Sequence, residues 1–335
     1  MQTRPITMDF IHELISYFYW YFRPIIKGFL RLTTRLCELQ RICYGEPKGG
    51  PRTCGVENSM ILSRDPDIVK VIKSLDEQIS VGAFKSTQTE KEVLVNAVNT
   101  ILVTKRIKRD LHRQFEVSLR HCLRQIWGYK QLVQEVEKLR SEGFDSENLE
   151  HERTLLQLWA LLQPGIPLTT RKTKQWQNIG FQGEDPKTDF RGMGTLGLEN
   201  LIYFAREYNS TAKHILSHSH HPKHGFYTSI DTFTPSVRYS FAIVGINLTH
   251  MAYRLLNEGC AKSHMFNVTD AKATLDHFHH LYSYLFVEFD KFWLSEKPRD
   301  IMEFNRIRDL FENNVRTLLA EPTTCLKIHI AVENV

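Results

Sequence analysis

The sequence predicts an all-α fold, and three observations carry that expectation. Apolar residues recur at spacings of three, four and seven over long segments, as one face of a helix requires. The period-two alternation of a half-buried strand is not sustained over any convincing length. Glycine and proline gather mainly between the periodic segments, where turns belong. The expected architecture is a multi-helix globular domain with an N-terminal amphipathic helical segment. A chain of 335 residues can hold one large domain or two modest ones.

Residues 8–44 open with an apolar, aromatic run from Leu14 to Phe22. Arg23-Pro24 ends it after about nine residues, well short of the about 20 that a membrane span needs. Glu13 falls early and no small-residue cleavage site follows, so a signal peptide fits poorly. Arg23, Lys27, Arg31 and Arg35 recur every four residues, forming one helical stripe. Ile25, Ile26, Phe29, Leu30 and Leu32 take much of the remainder. The leading expectation is a helix lying in a membrane interface, with those four cations toward the headgroups. Its alternatives are docking of this face on the protein's own core, and a kinked insertion broken at Pro24. Gly45 to Gly55 carries four glycines and two prolines and is expected to be a linker.

After it, residues 65–80 read as a helix, with Val69, Ile72 and Ile79 loosely on one face. Residues 89–141 read as one or two long helices, on the spacing of Leu119, Cys122, Leu123, Ile126, Val133 and Val136. The basic run from Lys105 to Arg113 is a solvated face or a helix junction, or else a partner or membrane patch. Asp145-Ser146 is expected to cap a helix that stops before Pro164 and buries Leu155, Leu158, Trp159 and Leu162. Val237–Asn257 is expected to be a buried helix, with Gly259 in its cap region. Leu275–Trp293 has the strongest amphipathic pattern, built on Phe278, Leu281, Tyr282, Leu285, Phe289 and Trp293. Asp300 caps a last helix whose core face is Phe304, Ile307, Phe311, Val315 and Leu318. The expected organisation is thus an N-terminal segment (1–55), a helical region (56–145), a main domain (146–319) and a tail (320–335).

Composition narrows the chemistry. A net charge of +5 permits attraction to anionic membranes or acidic proteins and does not by itself point to nucleic acid. Six scattered cysteines without C-x-x-C pairing read as reduced thiols. The sequence contains no G-x-x-x-x-G-K-[ST], no H-E-x-x-H and no G-x-S-x-G. His218, His220, His221 and His224 crowd a turn-rich loop at 214–236, but no cysteine or acid stands near them in sequence to complete a zinc site. No metal and no cofactor are expected.

Chemistry concentrates in Trp176–Leu201, which holds five of the seventeen glycines. It reads W-Q-N-I-G-F-Q-G-E-D-P-K-T-D-F-R-G-M-G-T-L-G-L-E-N-L. Trp176, Phe181 and Phe190 can pin such a loop to neighbouring helices, with Leu196, Leu198 and Leu201. Gly192 and Gly194 allow tight or positive-φ turns beside Arg191. Asp185-Pro186 and Thr188-Asp189 supply turn chemistry. The arrangement can present the Arg191 guanidinium outward from a rigid base. From these residues alone, the leading reading is an internal salt bridge from Arg191 to Asp185 or Asp189, with outward presentation as the alternative. Gln182 is expected to hydrogen-bond the loop backbone, with water positioning as the alternative. Asp189 is expected to orient Arg191 or to cap the following helix.

The stretch resembles the signature of the ELMO-domain family, W-x3-G-F-Q-x3-P-x-T-D-F-R-x2-G-x-L-G-L-x2-L. Trp176, Gly180, Phe181, Gln182, Pro186, Thr188, Asp189, Phe190, Arg191, Gly194, Leu196, Gly197, Leu198 and Leu201 meet it without mismatch. The likeness extends to Cys37–Ile42, Gly128-Tyr129, Tyr239–Asn247 and Asp300–Asn305. Relative to that family, Gly225–Val237 looks like an insertion. The resemblance implies a GTPase-activating protein with no active site of its own. It would supply Arg191 in trans to GTP-bound small GTPases of the Arf and Arf-like group, at the endoplasmic reticulum, lipid droplets or mitochondria. It would reach the membrane surface through the N-terminal helix. A non-catalytic adaptor that binds a GTPase through the same loop is the rival reading.

Overall fold

The computed structural model describes residues 8–80, 87–219 and 237–328, and all regular structure among them is helical. By compactness the chain divides into two units, residues 1–123 and 124–335.

In the first unit, α1 (Met8–Thr34), α2 (Glu38–Gly45), α3 (Gly50–Ile61), α4 (Pro66–Ser80) and α5 (Thr87–Thr104) precede the start of α6 (Arg113–Ser141). Helices α2 to α5 pack consecutively around Leu39, Val56, Met60, Leu75, Val98 and Ile101. The expected linker is a correction. Gly49 takes φ of 88°, and Pro51 then sits in the first turn of α3. A first-turn proline lacks only an N–H that has no helical partner anyway, so the stretch starts a helix instead of breaking the chain. The face of α4 runs through Ile68, Val71, Ile72 and Leu75, with Val69 at its edge; the side chain of Ile79 lies outside the described residues. The basic run at 105–113 is a helix junction. Arg106 adopts φ of 54°, and Lys105 and Arg109 pair with Asp65 and Glu116.

The N-terminal helix is a second correction. Arg23 is buried and its Nη2 lies 3.2 Å from Glu38; Lys27 reaches the same carboxylate. These two cations therefore face protein, where an acid in the next helix neutralises them. Arg31 ends the helix exposed, and Arg35 lies beyond it as the left-handed residue, φ 58°, that closes it. The apolar side is what faces outward: Tyr21 is 63% exposed, Ile25 66%, Phe29 65% and Leu32 82%.

In the second unit α6 continues, followed by α7 (Leu149–Leu162), α8 (Gly194–Glu207), α9 (Asn209–Ser219), α10 (Phe241–Asn257), α11 (Lys262–Asn267), α12 (Leu275–Glu296) and α13 (Phe304–Ala320). Helix α8 is the hub, packed by α7, α9, α10 and α12. It is apolar nearly all round, as a central helix must be. Gly245 lets α10 cross it closely: a Cβ there would lie 2.6 Å from Leu201 Cδ2 and 2.8 Å from the Tyr282 hydroxyl.

The cap of α7 is Asn148, whose side chain accepts from Glu150 N; Asp145 serves the turn before it. The core face of α13 ends on Leu319, with Leu318 turned outward. His218 lies on α9, with Nε2 3.0 Å from the buried Asp290 carboxylate, which also accepts from Tyr239 OH. His220, His221 and His224 lie outside the described residues, as does the proposed insertion up to 236.

Candidate functional site

The signature stretch is two 3-10 turns, Lys174–Ile179 and Pro186–Gly192, that lead into α8. Each has a side-chain cap. Thr173 Oγ1 accepts from Gln175 N, and Asp185 Oδ1 accepts from Lys187 N at 3.1 Å. Pro186 fills the first position of the second turn, where its fixed φ fits.

Two glycines seat these turns on their neighbours. Gly180 has φ of 89°, and a Cβ on it would lie 2.4 Å from Phe241 N. Its carbonyl accepts from Ile243 N, one of the first-turn N–H groups that α10 itself cannot satisfy. Gly194 has φ of 53°, and its Cβ would lie 2.4 Å from Glu142 O and 2.5 Å from Arg140 O. Thr195 N donates to Glu142 O at 2.8 Å, and Thr195 Oγ1 donates to Leu139 O. The carbonyl end of α6 thus meets the amide end of α8, and each satisfies orphan groups of the other. No side chain fits at position 194 between them.

An aromatic chain runs under the loop. Ring centroids are 5.5 Å apart for Trp159–Trp176, 5.9 Å for Trp176–Phe181, 5.6 Å for Phe181–Phe190 and 5.6 Å for Phe190–Phe144. Trp176 is wholly buried, and its indole N–H donates to Arg171 O. Gly197 allows Phe190 to rest on α8, with its Cβ position 3.3 Å from the Phe190 ring. Leu196, Leu198 and Leu201 point into the core.

Asp185 and Asp189 are engaged by hydrogen bonds and ion pairs that do not involve Arg191. Asp185 pairs with Arg171 at 3.1 Å and with Lys172 at 3.6 Å. Burial opposes the Asp185 carboxylate, but the Lys187 N–H and Arg171 outweigh it and hold its pKa below the usual value. Asp189 Oδ2 accepts from Gln182 N at 2.9 Å, tying the two turns together. Burial pushes the Asp189 pKa up; the Gln182 N–H and the charge of Arg191 only partly offset it. Asp189 therefore holds the loop backbone and does not cap α8.

Arg191 is exposed, and its one hydrogen bond among the described residues runs from Nε to Thr188 O at 2.8 Å. That bond fixes the side chain's stem. No described carboxylate lies within ion-pair distance, and the Nη groups bond to no described residue. The expected salt bridge is thus not what forms. Gln182 is also exposed and bonds through its main chain: its N–H to Asp189, and its carbonyl from Gln177 Nε2. The expected side-chain bond to the backbone is absent among the described residues.

Arg171 escaped the sequence reading. It bridges Glu152 on α7 to Asp185 in the loop, and its guanidinium lies over Phe144. Glu152 stands 19 residues away and Phe144 lies before α7, so no local spacing marks the group. Among the described residues no cluster of three metal-binding side chains is placed to hold an ion.

The ELMO/CED-12 family matches residues 134–308. The chain belongs to that family. It is 44% identical over 324 residues to mouse (Mus musculus) ELMO domain-containing protein 1, covering 95% of each chain. To mouse ELMO domain-containing protein 2 it is 44% identical over 319 residues, covering 94% of this chain and 98% of the relative. It is 34% identical over 297 residues to ELMO domain-containing protein B of Dictyostelium discoideum, covering 87% and 93%. No solved structure matches. The matched region contains the whole signature loop, α8 and the helices that hold it.

Proposed function

We propose that this ELMO-family chain is a GTPase-activating protein for Arf-like and Arf small GTPases, with Arg191 as the residue supplied in trans. The observation that carries the reading is the isolation of Arg191. Asp185 and Asp189 are bonded elsewhere, the stem is held at Thr188 O, and the end of the guanidinium is free of protein partners among the described residues. A planar, permanently charged group with free donors is what the γ-phosphoryl of a slow GTPase lacks as charge builds on its oxygens. The aromatic chain and the junctions at Gly180 and Gly194 hold its base still, so little freedom is lost on engaging the nucleotide. Gln182, exposed beside Asp189, is available to contact the GTPase. The same reading takes the protein to be cytoplasmic and peripheral to membranes of the endoplasmic reticulum, lipid droplets or mitochondria. Membrane contact would be made by α1, whose exposed side is apolar.

The test is single-turnover GTP hydrolysis by purified Arf and Arf-like GTPases, with wild type, Arg191→Ala and Arg191→Lys. Arginine fingers in trans raise hydrolysis by about 10³–10⁵, so both variants should lose at least about 10²-fold of the stimulation. Stimulation that survives both substitutions moves catalysis off Arg191. Binding without stimulation by wild type makes the chain an adaptor.

A further inference from the structure

The first unit contains a cavity of about 790 Å³ between α1 and the α3–α4 junction, extending to Lys105 after α5. Arg23, Lys27, Arg64 and Lys105 line it, with Asp65 as the acid in its wall and Glu38 behind Arg23 and Lys27. Four cations thus face two carboxylates. Arg23 is only 9% exposed, and its buried Nε has no hydrogen-bond partner. Arg64 is exposed, and Lys105 lies 3.6 Å from Asp65, a distance that leaves donors over. Arg64 and the spare donors of Lys105 line the open cavity, and an anion's oxygens would engage them there.

The cavity's other wall is apolar, formed by Tyr21, Pro24 and Leu62. Tyr21 also begins the outward row Tyr21, Ile25, Phe29 and Leu32, spaced along one helix face. A charged hollow that opens beside a greasy ridge matches a ligand that is anionic at one end and hydrocarbon at the other. A free phosphate metabolite would account for the hollow and leave the ridge without a role.

We propose that this cavity binds the phosphomonoester headgroup of an anionic membrane lipid while the outward face of α1 enters the acyl layer. The cations thus serve the membrane from inside the groove, opposite in sense to a basic stripe spread on the surface. The apolar face contributes area-dependent attraction, and each cation near an anionic surface adds to it. The proposal rests on the peripheral-membrane reading above and on no part of the GTPase reading.

The experiment is vesicle co-sedimentation of the full chain. It compares pure phosphatidylcholine with phosphatidylcholine carrying about 5 mol% phosphatidylinositol 4-phosphate. Wild type should bind the anionic vesicles at least about tenfold better, and Arg64→Glu with Lys105→Glu should remove at least about tenfold of that binding. Both residues are partly or wholly solvent-facing, and the milder Arg64→Gln with Lys105→Gln repeats the test if the reversal perturbs the fold by circular dichroism. Ile25→Asp with Phe29→Asp should weaken binding to both vesicle types. Equal binding to both vesicles, unchanged by the charge variants, overturns the headgroup site and leaves a nonspecific membrane helix. Absence of binding to either vesicle overturns both readings. Soluble inositol 1,4-bisphosphate binding as tightly as the vesicles overturns the lipid source in favour of a free phosphate.

Discussion

The signature loop and the N-terminal helix each carry arginines that the sequence marks out, and the fold treats them in opposite ways. In the loop, Arg171 takes Asp185 and the Gln182 N–H holds Asp189, so Arg191 is left outward and unpaired among the described residues. In α1, Glu38 from the next helix absorbs Arg23 and Lys27, so the first half of the basic stripe turns inward and the apolar side turns out. Spacing decides which cations share a face. Which face remains available depends on where the fold places a carboxylate. A desolvated cation without a partner is expensive, so the first acid within reach takes it.

Opening the loop's foundation should have the largest effect. Gly194→Val forces a β-branched residue into φ of 53° and places its Cβ 2.4 Å from a helix-end carbonyl. It should destabilise the second unit by about 3 kcal/mol or more, read by urea unfolding. Stability within error of wild type would show that the α6–α8 junction relaxes freely.

The next contrast lies between the two loop arginines. Arg171→Ala leaves Glu152 and Asp185 without their shared partner and should cost about 2 kcal/mol. Arg191→Ala, on an exposed and unpaired side chain, should stay within about 0.5 kcal/mol of wild type. Equal losses in urea unfolding would erase the distinction between the residue that holds the loop and the one it presents.

The N-terminal helix offers a matching test at Glu38. Glu38→Gln weakens the acid that holds Arg23 and Lys27 and should cost about 1–2 kcal/mol at neutral pH. Burial opposes the Glu38 charge, but Lys27, Ser59 and Arg23 overcome it and hold the pKa below its ordinary 4.5. A carboxylate with a depressed folded pKa contributes stability that is complete above its unfolded value. That stability is lost as pH falls through the lower, folded value. The wild type–variant difference in unfolding free energy should therefore be constant above about pH 5 and shrink toward pH 3. A difference that persists undiminished in acid would assign the effect to packing.

Much of the fold was readable. Leu275–Glu296 and Phe241–Asn257 declare themselves because helical periodicity needs only neighbours a turn away. Local chemistry misled where two signals compete. Gly49 and Pro51 read as a break, yet a positive-φ glycine followed by a first-turn proline also launches a helix. Asp145 and Asn148 are both good caps, and only the backbone path chose Asn148.

Residue order alone set the all-α class, most of the long helices, the family and the glycine and aromatic content of the loop around Arg191. These follow from residue types at short spacing, which act through the backbone they belong to. The tertiary structure alone decided that Arg171 and Arg191 have different fates, and that Gly180 and Gly194 are seats for other helices. It alone turned the hydrophobic side of α1 outward. Each of those outcomes depends on a carboxylate, a carbonyl or an amide brought from a distant part of the chain. Electrostatic and steric contacts act through space at a few ångströms, and no spacing along the sequence records them.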